Sequence, residues 1–118
     1  MNYEDRVTKS YLEGLIPRIV TGTYTGDGEA TRFIDLGFTP KAVLVVERAG
    51  KINGDMNGLS VKSYFGGLAL ADSPVICGEN FTLIDISEGG FTVRYHTANN
   101  RCYYTNNSGA VYHYLAIG

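Results

Sequence analysis

The sequence is short of most features that mark a function. Only 19% of its 118 residues are charged and the formal net charge is -2, so no basic stripe points to nucleic acid or anionic lipid. No apolar run approaches the roughly 20 residues a membrane helix needs, which argues against membrane insertion. The N-terminus has no apolar stretch of the signal-peptide kind, so synthesis in a cytosol is expected. Two cysteines, Cys77 and Cys102, cannot build a disulfide framework and are expected to be buried free thiols. The two histidines, His96 and His113, have no second histidine or cysteine at ligand spacing, and no metal is expected.

Catalytic signatures are missing too. No serine sits in a G-x-S-x-G elbow, and GTYTGDG lacks both the Lys-Ser/Thr ending and the following helix of a phosphate loop. Asp27 and Glu29 share the GDGE turn and Asp55 sits in NGDMNG, but the ordered oxygen ligands of an EF-hand are absent. Acids set between glycines are turn formers first. No enzyme activity and no cofactor are expected.

What is present is a strand-forming mixture: 15 glycines, nine tyrosines, 44% hydrophobic residues, few prolines and no tryptophan. Residues 1–17 stand apart. Asn2 is a good N-cap, Glu4 and Asp5 suit the first turn and Pro17 marks a stop, so a short helix is expected. Its stripe of Tyr3, Val7, Tyr11 and Leu15 needs a partner, either the chain's own domain or copies of itself.

From Arg18 the period becomes two. RIVTGTY (18–24) reads as a strand, GDGEA (26–30) as a turn and TRFIDL (31–36) as its return strand. AVLVVE (42–47) follows a corner, and RAGKINGDMNG (48–58) reads as a polar loop. SVKSYF (60–65) and LALAD (68–72) flank a Gly66-Gly67 break, and FTLIDIS (81–87) turns through EGG into FTVRY (91–95). CYYT (102–105), NNSG as a hairpin turn and AVYHYLAI complete the chain. About eight short strands at such spacing imply an antiparallel β-sandwich over 18–118, preceded by the helix.

The last strand is apolar on both sides. Tyr112, Tyr114 and Ala116 point one way, and Val111, His113, Leu115 and Ile117 the other. Elsewhere Tyr95, His96, Arg101, Tyr103 and Tyr104 crowd around the loop at 98–100. Flat rings and planar donors of this kind suit a sugar, although Tyr103 and Tyr104 must face opposite sides of their strand. A second polar group is Asn53, Asp55 and Asn57 in the loop 48–58.

GTYTGDGEATRFIDLGFTPKAVLVV (22–46), GGFTVRY (89–95) and NNSGAVYHYLAIG (106–118) together resemble bacteriophage tail-fibre and appendage domains of the H-type lectin-like β-sandwich type. That resemblance implies a homotrimeric virion protein, made in the host bacterial cytoplasm, that contacts other virion proteins and a host-surface carbohydrate. It implies a central last strand with one face toward the threefold axis. The interface would then draw on Val7, Tyr11 and Leu15 of the helix and on Tyr112 and Tyr114, or His113, of the strand. A purely structural decoration or tail accessory protein without a ligand site is the alternative.

Overall fold

A computed structural model describes residues 18–55, 62–78, 80–98 and 101–118. They form eleven strands and no helix: β1 (Ile19–Thr25), β2 (Thr31–Asp35), β3 (Ala42–Glu47), β4 (Asn53–Asp55), β5 (Lys62–Tyr64), β6 (Gly67–Leu70), β7 (Val75–Cys77), β8 (Phe81–Ser87), β9 (Gly90–Ala98), β10 (Arg101–Tyr104) and β11 (Val111–Ile117). The chain is thus mainly β. The helix expected over 1–17, with Val7, Tyr11 and Leu15, lies outside the described residues, as does Asn57.

The strands divide into a four-stranded sheet, ordered β1-β11-β3-β6, and a seven-stranded sheet, ordered β4-β5-β10-β9-β8-β7 with β2 also paired to β9. The larger sheet is mixed and not wholly antiparallel, because β5 and β10 run parallel. In the smaller sheet, period-two patterning puts Tyr24, Val43, Val45, Ala69, Tyr112 and Ala116 on one face. These join Leu83, Ile84, Phe91, Val93 and Tyr103 of the larger sheet in a single buried cluster. Burying each large apolar side chain contributes about 1.5–3 kcal/mol, so this shared layer holds the two sheets together. Gly22 has a local part in it, because the ring of its cross-strand partner Tyr114 fills the space where a Cβ would stand.

Two expected hairpins do not form. β1 pairs with β11 while β2 pairs with β9, so residues 26–30 carry the chain from one sheet to the other. Likewise β10 pairs with β9 while β11 belongs to the smaller sheet, so residues 105–110 cross back. The physical reason is that the two corners bind each other. Gly26 N–H donates to the Ala110 carbonyl at 2.8 Å, Gly109 N–H to the Gly26 carbonyl at 3.0 Å, and Gly28 N–H to the Asn106 carbonyl at 2.9 Å. Only glycine fits at position 26, where a side chain would run into the backbone of Asn106 and Asn107.

The fully buried Asn106 side chain closes the corner. Its amide nitrogen donates to Asp27 Oδ1 at 2.6 Å and to the Glu29 carbonyl at 3.0 Å, and its amide oxygen accepts from Asp27 N–H at 3.2 Å. Arg32 completes the group by donating to the Thr25 carbonyl at 2.6 Å and lying 3.7 Å from the Asp27 carboxylate. Beneath it, Tyr24 and Tyr112 stack at 5.1 Å and donate their hydroxyls to the carbonyls of Thr105 and Tyr104. Burial pushes the Tyr112 phenol up to about 12 and Tyr24 further still, so both remain donors at any ordinary pH.

Thr105 fills a seam. The β9 edge opposite β8 is shared, with β2 alongside its first half and β10 alongside its second. At the change of partner, Thr105 N–H donates to the Arg94 carbonyl and its hydroxyl accepts from Arg94 N–H at 2.9 Å. Two further differences are small. A strand, β4, forms inside the expected loop 48–58 because Asn53–Asp55 pairs with β5, and β7 forms after Pro74 by pairing with β8 across a register shift.

Replacing Asn106 with alanine removes the three hydrogen bonds of a buried amide and leaves a gap in its place, so unfolding free energy should fall by about 2–4 kcal/mol in urea denaturation. The Asp27 carboxyl is held below its ordinary 3.8 by hydrogen bonds from Glu29 N–H and the Asn106 amide. A depressed carboxyl contributes stability that is present above its unfolded value and lost as pH falls through the folded one. In Asp27→Asn the acid-side fall in stability below about pH 4 should therefore be shallower than in the parent chain.

Candidate functional site

Strand register brings the two polar groups noticed in the sequence onto one sheet. Asn53 lies opposite Tyr64, Tyr64 opposite Tyr103 and Tyr103 opposite His96, so one row crosses β4, β5, β10 and β9. The next row on that face holds positions Asp55, Lys62, Arg101 and Ala98. Tyr95 and Tyr104 pair with each other on the opposite face.

The rings in this row are largely used by the protein itself. Tyr103 is 3% exposed, with Phe81 at 4.5 Å and Tyr64 at 5.5 Å from its centroid, so it offers no ring face to a ligand. His96 is exposed and stacks on Phe81 at 4.8 Å. On the other face, Tyr95 and Tyr104 stack on each other at 4.8 Å, nearly parallel. The cluster expected around 98–100 is thus split. Asn53, His96 and Arg101 remain as accessible or half-buried polar groups on one face, and Tyr95 and Tyr104 form a half-buried pair on the other.

Near the edge of this face a hollow of about 370 Å³ is lined by Asn53, Gly54, Lys62, Ser63 and Tyr64. The Ser63 hydroxyl is fully buried and has no hydrogen-bond partner among the described residues. Both cysteines are free thiols: Cys102 is buried opposite Ser63, and half-burial pushes the Cys77 thiol up. Among the described residues, no three acidic, histidine or cysteine side chains are grouped to hold a metal ion. Asp27 is tied to Asn106 and Arg32, and Asp85 is paired with Arg94 at 2.7 Å.

A second candidate is the outward face of the four-stranded sheet. Tyr112 is 1% exposed, and Tyr114 is half-buried against Phe91 and Tyr24, so both belong inside the protein and have little surface to offer a partner. His113, Leu115 and Ile117 face outward. Across the sheet they form the rows Thr23–His113–Val46, Thr21–Leu115–Leu44–Leu68 and Ile19–Ile117–Ala42–Leu70. Leu68 is 56% and Ile19 63% exposed, and no position in these rows carries a fixed charge. A shallow depression of about 360 Å³ lies at the centre, lined by Thr21, Leu44, Val46, His113, Tyr114 and Leu115 among others.

Sequence reasoning had both faces of β11 but could not tell which one the larger sheet covers. The row on the mixed sheet was hidden because its members come from four strands, one of them inside an expected loop. Compared with protein-family models, curated proteins and solved structures, the chain matches none.

Tyr103→Ala should lower unfolding free energy by about 3–5 kcal/mol, the cost of removing a buried ring. Ser63→Ala should leave stability unchanged or raise it by about 1 kcal/mol, because the lost hydroxyl gives up no bond. A clear loss of stability in Ser63→Ala would show that the hydroxyl has a partner.

Proposed function

We propose that the chain is a structural protein of a bacteriophage or prophage virion, an H-type lectin-like β-sandwich module that assembles as a homotrimer and contributes to attachment to a host-surface glycan. The observation that carries this reading is the uncharged outward face of the four-stranded sheet, with β11 in its interior. Exposed apolar area of this extent is costly in water, and a closed ring of copies removes it. The three stretches that resemble phage appendage domains support the same reading, and they have a common physical basis. GTYTGDG and NNSG are the two interlocked corners, and YHYLAIG is the strand between an inner and an outer apolar face.

On this reading the glycan meets the mixed-sheet face at Asn53, His96 and Arg101, with Lys62 beside them. Three weak sites per trimer gain strength through avidity on a particle bearing many copies. The module acts beside other virion proteins, after synthesis in the host bacterial cytoplasm, without catalysis or cofactor. One observation favours the alternative of a decoration or tail accessory protein with no ligand site. The rings of Tyr103, Phe81 and Tyr64, and those of Tyr95 and Tyr104, are already stacked on one another.

Light scattering should give three times the 12.9 kDa of one chain, and Leu44→Asp or Leu115→Asp should give a folded monomer. A wild-type monomer at tens of micromolar would sink the self-assembly reading. On a glycan array, Arg101→Ala and His96→Ala should each abolish the signal while keeping the trimer. A trimer with no glycan signal would establish the purely structural alternative.

A further inference from the structure

We infer that the glycan met by the mixed-sheet face is an anionic one, whose carboxylate or phosphodiester sits in the hollow beside β4 and β5 with Lys62 as its counter-charge. The inference rests on the reading that this face binds a glycan, and it names the chemical class. The hollow, about 370 Å³, falls in the range of roughly 300–1,000 Å³ usual for small-molecule sites. Its lining is rich in hydrogen-bond donors and holds no carboxylate: exposed Lys62 and Asn53, half-buried Tyr64 and the Ser63 hydroxyl, around the bare backbone of Gly54. Lys62 makes no ion pair among the described residues. Its register partners are Asp55 on one side and Arg101 on the other, so the row carries two cations and one anion. The segment MNGLSV (56–61), which joins the two strands, brings no charge.

The Ser63 hydroxyl is fully buried yet has no hydrogen-bond partner among the described residues, which leaves a donor and an acceptor unused in the lining. A ligand seated in the hollow would also strip water from the Lys62 ammonium. A neutral sugar gives hydroxyls in exchange and leaves the buried charge without a counter-ion, which is unfavourable. A carboxylate or phosphodiester brings acceptor oxygens that hold the ammonium in a charge-assisted pair and can accept from the Asn53 amide and the Ser63 hydroxyl as well. The row that starts at Asn53 ends at His96, which sets the direction in which further sugar units would run.

The test is binding of the full chain to an array of uronic-acid, glycerol-phosphate and neutral glycans. Titration calorimetry then compares the strongest binder with the same glycan after its charge is removed, by esterifying the carboxylate or cleaving the phosphate. Expected is binding confined to anionic glycans and weakened by about tenfold or more when the charge is removed. The uronic-acid and glycerol-phosphate spots tell a carboxylate from a phosphodiester. Lys62→Gln should lose binding to the same extent and Lys62→Arg should keep it. Ser63→Ala should weaken binding severalfold without lowering the urea midpoint. Neutral glycans that bind as well as their anionic counterparts would overturn the inference while leaving glycan attachment intact. Anionic binding that survives Lys62→Gln would overturn it too, by placing the recognition of charge elsewhere. No binding to any glycan would overturn the glycan reading and the inference together. Far-UV circular dichroism of each variant separates lost binding from lost fold.

Discussion

The side-chain amide of Asn106 is the contact on which the rest of the molecule depends. It is buried, uncharged and fully occupied, and the groups it binds belong to a different corner of the chain. Together with the backbone bonds between the corners, it ties residues 26–30 to residues 105–110, which cross between sheets and do not close hairpins. Once they cross, β1 and β11 are committed to one sheet and β2 and β10 to the other, with β9 serving both of the latter. A buried polar network costs its desolvation unless every member is satisfied. Here Asp27, Arg32, Asn106 and the two tyrosine hydroxyls each have a partner.

Both candidate surfaces are consequences of that topology. Because β11 returns into the interior of the four-stranded sheet, its tyrosines turn toward the larger sheet, and His113, Leu115 and Ile117 are left facing out. The larger sheet is extended past β10 by a parallel strand, which lines Asn53 up with His96 across four strands. The fold therefore separates an apolar outward face on the smaller sheet from a polar row on the larger one. A single histidine, His113, interrupts the apolar face.

Much of the strand pattern could be read from period two alone. AVLVVE at 42–47 and FTLIDIS at 81–87 match β3 and β8 residue for residue, and the alternation of YHYLAI assigned the two faces of β11 correctly. Pairing was not readable. A Gly-rich turn between two β-patterned runs predicts a hairpin, and GDGEA and NNSG satisfy that rule locally. What overrides it is a contact between Asp27 and Asn106, 79 positions apart, that no local pattern reports. The sugar-site expectation met a similar limit. Proximity in sequence gathered Tyr95, His96, Arg101, Tyr103 and Tyr104 around one loop, with Tyr103 and Tyr104 set on opposite sides; the stacking that consumes the rings on both sides was not readable.

Native-state hydrogen exchange tests most directly whether the interlocked corners are the constraint on the fold. The amides of Gly26, Gly28, Gly109 and Ala110 carry the corner-to-corner and within-corner bonds. If the corners open only when the sheets separate, these amides should exchange with the same opening free energy as Val45 and Ala116 in the core. Exchange as fast as that of Gly50, in the exposed turn after β3, would mean that the corners open on their own and that the sheets are held by apolar packing alone.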